Sequence, residues 1–394
     1  VVARKPPGPG PARDSTAPVS DATLLDCLRL GIQSGQAVRT ARRATRREPP
    51  GHKQRAAHLR LRAAGRRVRH DDDAWRRAWH AVHGRRFRGS AGDASTAFLA
   101  GLGADPQALI RRADAVLVHT SAGKDSVVAL HRTAMAAKAA GCLDKVVVVH
   151  ADLGPGTEWP GVRELAQRQA ERYGLRFVVV AAAGGFLGMV EARGMWPDAA
   201  RRLCTSTLKR DASAHLYTEI ATALGLDSQA LLLSVYGVRG GESRTRALKP
   251  VLGIDTRASS GRRLVLTWHI IHGLSSDEVW REIRDQGLEY HPVYDCGLDR
   301  LSCVYCVIAP EAALILATRA CFALGLTAPE VYTDLERRIG HTFKPGVTLG
   351  GIVAAARMID ALDGPLTWDR GDAIRRHLGE DAAEQWRDNL ALAT

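Results

Sequence analysis

From about residue 92 onward, short apolar runs alternate with stretches in which apolar residues recur every three or four positions. The runs at 115–119, 145–150, 176–182 and 230–236 read as strands. The periodic stretches at 124–140, 160–173, 184–193 and 208–224 read as helices between or before them. This alternation predicts an α/β fold, a doubly wound parallel sheet with helices on both faces. From residue 309 the pattern is helical only, with periodic segments near 310–324, 328–339, 348–362 and 380–392. Residues 1–22 are rich in Pro, Gly and Ala, lack any apolar period, and read as disordered. The predicted organisation is therefore a basic, disordered or loosely helical extension over 1–90, an α/β domain over 91–310, and a helical region over 311–394. Ligands of such sheets bind beyond the carboxyl ends of the strands. Candidate functional residues fall there: Ser121 to Ser126 after the first strand, Asp152 after the second and Arg239 after the fourth.

Composition changes this picture little. An apolar share of 45% with 25% charged residues is ordinary for a soluble globular chain. The longest apolar runs, such as Phe177 to Ala183, are far too short to span a bilayer. No charged start, apolar centre and cleavage site opens the chain, so the expectation is a cytoplasmic protein with no membrane partner. The net charge of +13 is concentrated, since residues 1–90 hold 21 Lys and Arg against 7 Asp and Glu, while the remainder is close to neutral. The Arg-dense run from Arg42 to Arg69 could grip a nucleic-acid backbone through counterion release, although a solvated tail is the plainer reading.

The chemistry begins where Ala115-Val116-Leu117-Val118-His119-Thr120 gives way to Ser121-Ala122-Gly123-Lys124-Asp125-Ser126 and then to a helical period. A strand that feeds a small-residue turn and a helix aims free backbone N–H groups and the positive end of a helix dipole at one point. That point suits an anion, usually a phosphate. Lys124 adds a cation on what reads as an exposed loop, and Asp125 and Ser126 could hold a metal ion or orient a nucleotide. The spacing is not that of a Walker A motif, and no further glycines complete a dinucleotide fingerprint. Next comes His150-Ala151-Asp152-Leu153-Gly154 with Glu158-Trp159-Pro160, where Asp152 could bind ribose hydroxyls or a magnesium ion or simply be solvated. The segment from Gly237 to Arg246 carries three arginines and Glu242 in a Gly-rich loop, which suits an anionic substrate.

Four cysteines stand apart from the rest: Cys296, Cys303 and Cys306, spaced x6 and x2, with Cys204 a candidate fourth. Cys303 and Cys306 can chelate one metal from a single turn, and thiolates alone do not choose between iron–sulfur and zinc. Cys27, Cys142 and Cys321 read as small apolar residues.

The segment from Ser121 to Ser126 resembles the Ser-Gly-Gly-x-Asp-Ser pyrophosphate loop of the N-type ATP pyrophosphatases, adenine nucleotide α-hydrolases with a Rossmann-like HUP-type fold. Ala122 departs from the usual glycine, and its methyl group is tolerable only if the residue keeps φ negative. The loop, Asp152 and the Arg-Glu-Ser segment, in this order, resemble the phosphoadenosine phosphosulfate (PAPS) reductase family over about residues 113–310. The stretch Asp277-Glu278-Val279-Trp280-Arg281-Glu282-Ile283, followed by His291-Pro292-Val293-Tyr294, adds to that resemblance. It implies catalytic roles for Lys124, Asp125 and Arg239, and nucleotide contacts from Ser121, Ala122, Gly123, Lys124, Asp125, Ser126, Asp152, Arg239, Glu242, Ser243 and Arg246. Iron–sulfur members carry cysteine at the place of Cys204, so Cys204, Cys296, Cys303 and Cys306 look like a [4Fe–4S] site, with Zn²⁺ as the alternative.

The loop keeps Lys124 and Asp125, which suits ATP, and no cysteine follows Cys321 to serve as the C-terminal nucleophile of a sulfonucleotide reductase. The pattern looks most like the ATP pyrophosphatases of DNA phosphorothioation and their phage and mobile-element relatives. That resemblance implies ATP with Mg²⁺, adenylylation of an acceptor, and displacement of AMP by sulfur. Its expected partners are an adenine nucleotide, a sulfur donor protein such as a cysteine desulfurase, and nucleic acid held by the basic segment. The alternatives are a sulfonucleotide reductase, a tRNA-thiolating enzyme and a non-enzymatic nucleotide-binding regulator.

Overall fold

A run such as Val146-Val147-Val148-Val149 has no polar side to turn to water, so it is stable only as a strand covered on both faces. In the computed structural model it opens the second strand of a single sheet. The structure describes residues 105–198, 202–227 and 229–393, and the extension predicted over 1–90 lies outside them.

The strands are β1 (Ala115–Thr120), β2 (Val146–Asp152), β3 (Arg176–Ala181), β4 (Ala230–Tyr236), β5 (Leu252–Ile254) and β6 (Arg263–Trp268). The helices are α1 (Pro106–Arg112), α2 (Lys124–Ala139), α3 (Val162–Glu171), α4 (Gly185–Arg193), α5 (Ala212–Leu224), α6 (Arg244–Ala247), α7 (Ser276–Asp285), α8 (Glu311–Ala323), α9 (Ala328–Ile339), α10 (Leu349–Asp363), α11 (Asp372–Leu378) and α12 (Glu380–Ala393). The spatial order is β3-β2-β1-β4-β6-β5, parallel throughout except between β5 and β6. This is the mixed α/β, Rossmann-like sheet with a helical C-terminal region that the hydrophobic pattern predicts. β5 and β6 are additions to that reading.

Side chains alternate across the central strand as a pleat requires. Val116 and Val118 pack with Leu130, Ala134 and Ala137 of α2. His119, one position on, meets Tyr217 of α5 on the other face. The chain steps outward from β1 to β2 to β3, then returns through a π-helical turn, Cys204–Asp211, and α5 to β4 on the far side of β1. Strand order therefore reverses between β1 and β4, and their carboxyl ends frame the crevice where such sheets bind ligands.

The C-terminal helices are tied to this crevice by one buried carboxylate. Asp295 accepts hydrogen bonds from the Tyr290 hydroxyl at 2.7 Å, Arg370 Nη1 at 3.0 Å and the Ala373 amide at 3.1 Å. Arg370 also lies over the rings of Tyr290 and Trp386, at 4.4 and 5.3 Å. Removing one partner of a buried charge pair strands the others, so Asp295→Ala is expected to cost about 3 kcal/mol or more. Urea denaturation checks this, and a loss near zero would show that the network carries no stability. Among the described residues, no helix is long and apolar enough to cross a membrane.

Candidate functional site

The first turn of α2 is built by its own small residues. Gly123 is its N-cap, and the Ser126 hydroxyl donates back to the Gly123 carbonyl at 2.9 Å while accepting from the Ser121 amide at 3.3 Å. The Ala122 amide donates to Thr120 Oγ1 at 3.0 Å. These bonds wind the loop tightly, and Ala122 takes φ +56°, the left-handed region. The sequence expectation of a negative φ is corrected here. An L-residue costs about 1–2 kcal/mol in that conformation, and the methyl recovers part of it by packing, fully buried, among Leu153, Trp159 and Val162.

Lys124 is also corrected: it is 4% exposed, not a side chain on an open loop. Its ammonium donates to the Asp299 carbonyl at 2.8 Å and lies 3.4 Å from the Asp125 carboxylate. Burial lowers its pKa, and Asp125 opposes that shift. Asp125 in turn accepts from Arg239 Nε at 2.5 Å. The loop after β4 delivers Arg239 because Gly237 passes directly over the start of α2, where an added Cβ would lie 2.6 Å from the Asp125 carbonyl oxygen. The Arg239 amide donates to Glu242 at 3.1 Å, and Glu242 also pairs with Arg246 and, at 3.2 Å, with Arg300. Two buried cations thus converge on one carboxylate at the start of a helix, with further arginines beside them. An arriving polyanion can replace that carboxylate as their partner at small reorganisation cost.

A cavity of about 640 Å³ opens from this point. Ser121, Gly123, Lys124, Asp125, Ser126, Glu242 and Arg246 line it, as do Cys204, Cys303 and Cys306, with Arg202 and Lys209 near the thiols. Arg239 lines an adjoining hollow of about 270 Å³ with Lys124 and Glu242. Besides the buried Ala122, three predicted residues line neither hollow. Asp152 accepts from the Gly154 amide at 2.8 Å and shapes its own turn. Ser243 caps α6 by accepting from the Arg246 amide. Cys296 is buried in the hydrophobic cluster with Leu298, Val304 and Tyr305, the cluster against which Cys204 and Cys303 also pack. Burial pushes the Cys303 and Cys296 thiols up to about 12. Among the described residues no three His, Cys, Asp or Glu side chains converge closely enough to hold a metal ion, so this arrangement does not present a complete ligand set. Contacts that sequence reasoning missed are Gly237, the Asp299 carbonyl and the Tyr294 hydroxyl, which accepts from the Lys124 amide at 3.0 Å.

Behind β1, His119 is stacked on Tyr236, with ring centroids 4.5 Å apart, and shares a 2.9 Å hydrogen bond with Tyr217. Burial lowers its pKa from 6.5 to about 4. The folded state keeps His119 neutral where the unfolded chain takes up a proton, so its contribution is complete above pH 6.5 and lost as pH falls towards 4. The expected loss from this group is about 3 kcal/mol. Denaturation at pH 7 and pH 4 checks it. A His119→Gln variant with the same acid slope as the parent would contradict it.

Residues 115–309 match the phosphoadenosine phosphosulfate reductase domain model. A solved structure of phosphoadenylyl-sulfate (PAPS) reductase from Candida auris, in a phosphate complex, is similar at 16% identity, over 55% of this chain and 97% of that one, with a TM-score of 0.36. That likeness is too distant to speak to activity. No curated protein matches the chain. The stretch similar to the phosphoadenosine phosphosulfate reductase domain, residues 115–309, is the stretch that carries all six strands of the sheet.

Proposed function

We propose that the chain binds ATP with its phosphates on the loop from Ser121 to Ser126 and cleaves the α–β bond to adenylylate an acceptor for sulfur transfer. The observation that carries this reading is the convergence of Lys124 and Arg239 on Asp125 at the switch point of the sheet. An acceptor oxygen attacks the α-phosphorus, the bond from that phosphorus to the bridging oxygen breaks, and pyrophosphate leaves with the electron pair. Charge grows on the leaving pyrophosphate, where Lys124, Arg239 and the free N–H groups of the α2 start stabilise it. Mg²⁺ enters as the counter-ion of ATP. Asp125 holds the two cations in place until the phosphates arrive. A sulfur nucleophile then displaces AMP from the adenylylated acceptor. The thiols of Cys204, Cys303 and Cys306 border the same cavity and are suited to carry that sulfur. DNA phosphorothioation, or a related phage or mobile-element system, is the setting proposed for this chemistry.

The test is a choice of nucleotide. Purified protein is incubated separately with Mg·ATP and with PAPS plus reduced thioredoxin. AMP from ATP is the expected result, and thioredoxin-dependent sulfite from PAPS would overturn the reading in favour of a reductase.

A [4Fe–4S] cluster, or zinc, on Cys204, Cys303, Cys306 and Cys296 is a separate proposal. Cys204 and Cys303 pack against the hydrophobic cluster that holds Cys296, and no step above runs through that metal site. Its expected outcome is iron with acid-labile sulfide, or zinc, in anaerobically purified protein, lost in Cys303→Ser. Metal-free wild-type protein would contradict it.

A further inference from the structure

The phenol of Tyr294 stands between the phosphate loop and the cysteine-bearing segment that folds over it. Its oxygen accepts two backbone N–H groups from different parts of the chain, Lys124 at 3.0 Å and Leu301 at 3.1 Å. A phenolic oxygen has two acceptor positions, and both are taken. The Leu301 bond pins the segment 297–302. From that segment the Asp299 carbonyl holds the Lys124 ammonium at 2.8 Å, and Arg300 reaches Glu242 at 3.2 Å. The ring lies under the same ammonium, 5.4 Å from its centroid. Gly123 leaves room for this approach: a Cβ there would meet the Tyr294 hydroxyl at 3.1 Å. The ring itself is fixed edge-on against Trp280 at 5.2 Å, and the adjoining Asp295 is anchored to the C-terminal helices.

The geometry points to Tyr294 as a positioning residue: its hydroxyl fixes where Lys124 and the segment 297–302 stand relative to the phosphate-binding turn. The inference rests on the reading of the loop as a phosphate site. Without the hydroxyl, the Lys124 and Leu301 amides lose their shared acceptor, the segment loosens, and the ammonium is no longer held at one place.

Tyr294→Phe keeps the packed ring and removes the oxygen. Tyr290→Phe removes a neighbouring buried hydroxyl that donates to Asp295 and touches neither the loop nor the segment 297–302. The probe is inorganic pyrophosphate with Mg²⁺, titrated calorimetrically into the full chain. Tyr294→Phe is expected to bind it about tenfold more weakly or worse, with Tyr290→Phe close to wild type even where its thermal stability falls as far. Equal affinity of Tyr294→Phe and wild type, or equal loss in both variants, overturns the inference while leaving the phosphate site standing. A wild-type chain that does not bind pyrophosphate overturns the phosphate reading and this inference together.

Discussion

Replacing Lys124 with alanine is expected to lower ATP turnover by about 10³-fold or more, with little change in stability. Lys124 is 4% exposed, within 3.4 Å of Asp125, and held on the cavity wall by the Asp299 carbonyl. A buried ammonium at the start of a helix faces far less screening than one in water, so its effect on a charge-building transition state is large. The fold survives because Asp125 keeps Arg239 at 2.5 Å and the helix start keeps the bonds of Ser126. Turnover and thermal midpoint measured on the same preparation separate the two effects. Turnover within tenfold of the parent would remove Lys124 from the reaction.

The second large effect is expected from a residue with no functional group. At Gly237 an added methyl would stand 2.6 Å from the Asp125 carbonyl oxygen and 2.8 Å from the Ser126 nitrogen. Both are backbone atoms in the first turn of α2, so neither can swing away. Gly237→Ala must therefore part the β4 loop from the helix, moving Arg239 relative to Asp125. Overpacking of this kind costs about 1–3 kcal/mol, and a shift of roughly 1 Å in a reacting group costs about 10²-fold in rate. Gly241, in the same loop, has nothing within 4 Å of its would-be Cβ, so Gly241→Ala serves as the control and is expected to be near neutral. Similar behaviour of the two variants would show that the close approach at Gly237 does not set the site.

Much of this architecture was legible in the chain. Strands β1 to β4 and the helices between them carry strong periods, and their observed limits differ from the predicted ones by a few residues. β5 escaped because it is three residues long and contains Gly253, and β6 because it follows a polar turn with no helix between. The turn from Ser121 to Ser126 was readable because its bonding is local: its residues cap one another within six positions. Its partners were not. Tyr294 meets Lys124 across 170 positions and Arg239 meets Asp125 across 114, the second because β4 lies beside β1. The exposure of Lys124 was misjudged for the same reason, since the segment that covers it comes from residues 297–302. The condition of a negative φ at Ala122 does not hold: the residue takes φ +56° with its methyl fully buried. Spacing joined Cys296 to Cys303 and Cys306, and Cys296 lies in the core cluster against which Cys303 and Cys204 pack.

The pyrophosphatase reading comes down to which bond of ATP the protein breaks. Purified full-length protein is incubated with α-labelled ATP and Mg²⁺, with and without a sulfur donor, and the labelled products are separated. Labelled AMP with stoichiometric pyrophosphate is expected, and it should vanish in Lys124→Ala. Labelled ADP with inorganic phosphate would contradict cleavage at the α–β bond and with it the role proposed for the loop from Ser121 to Ser126.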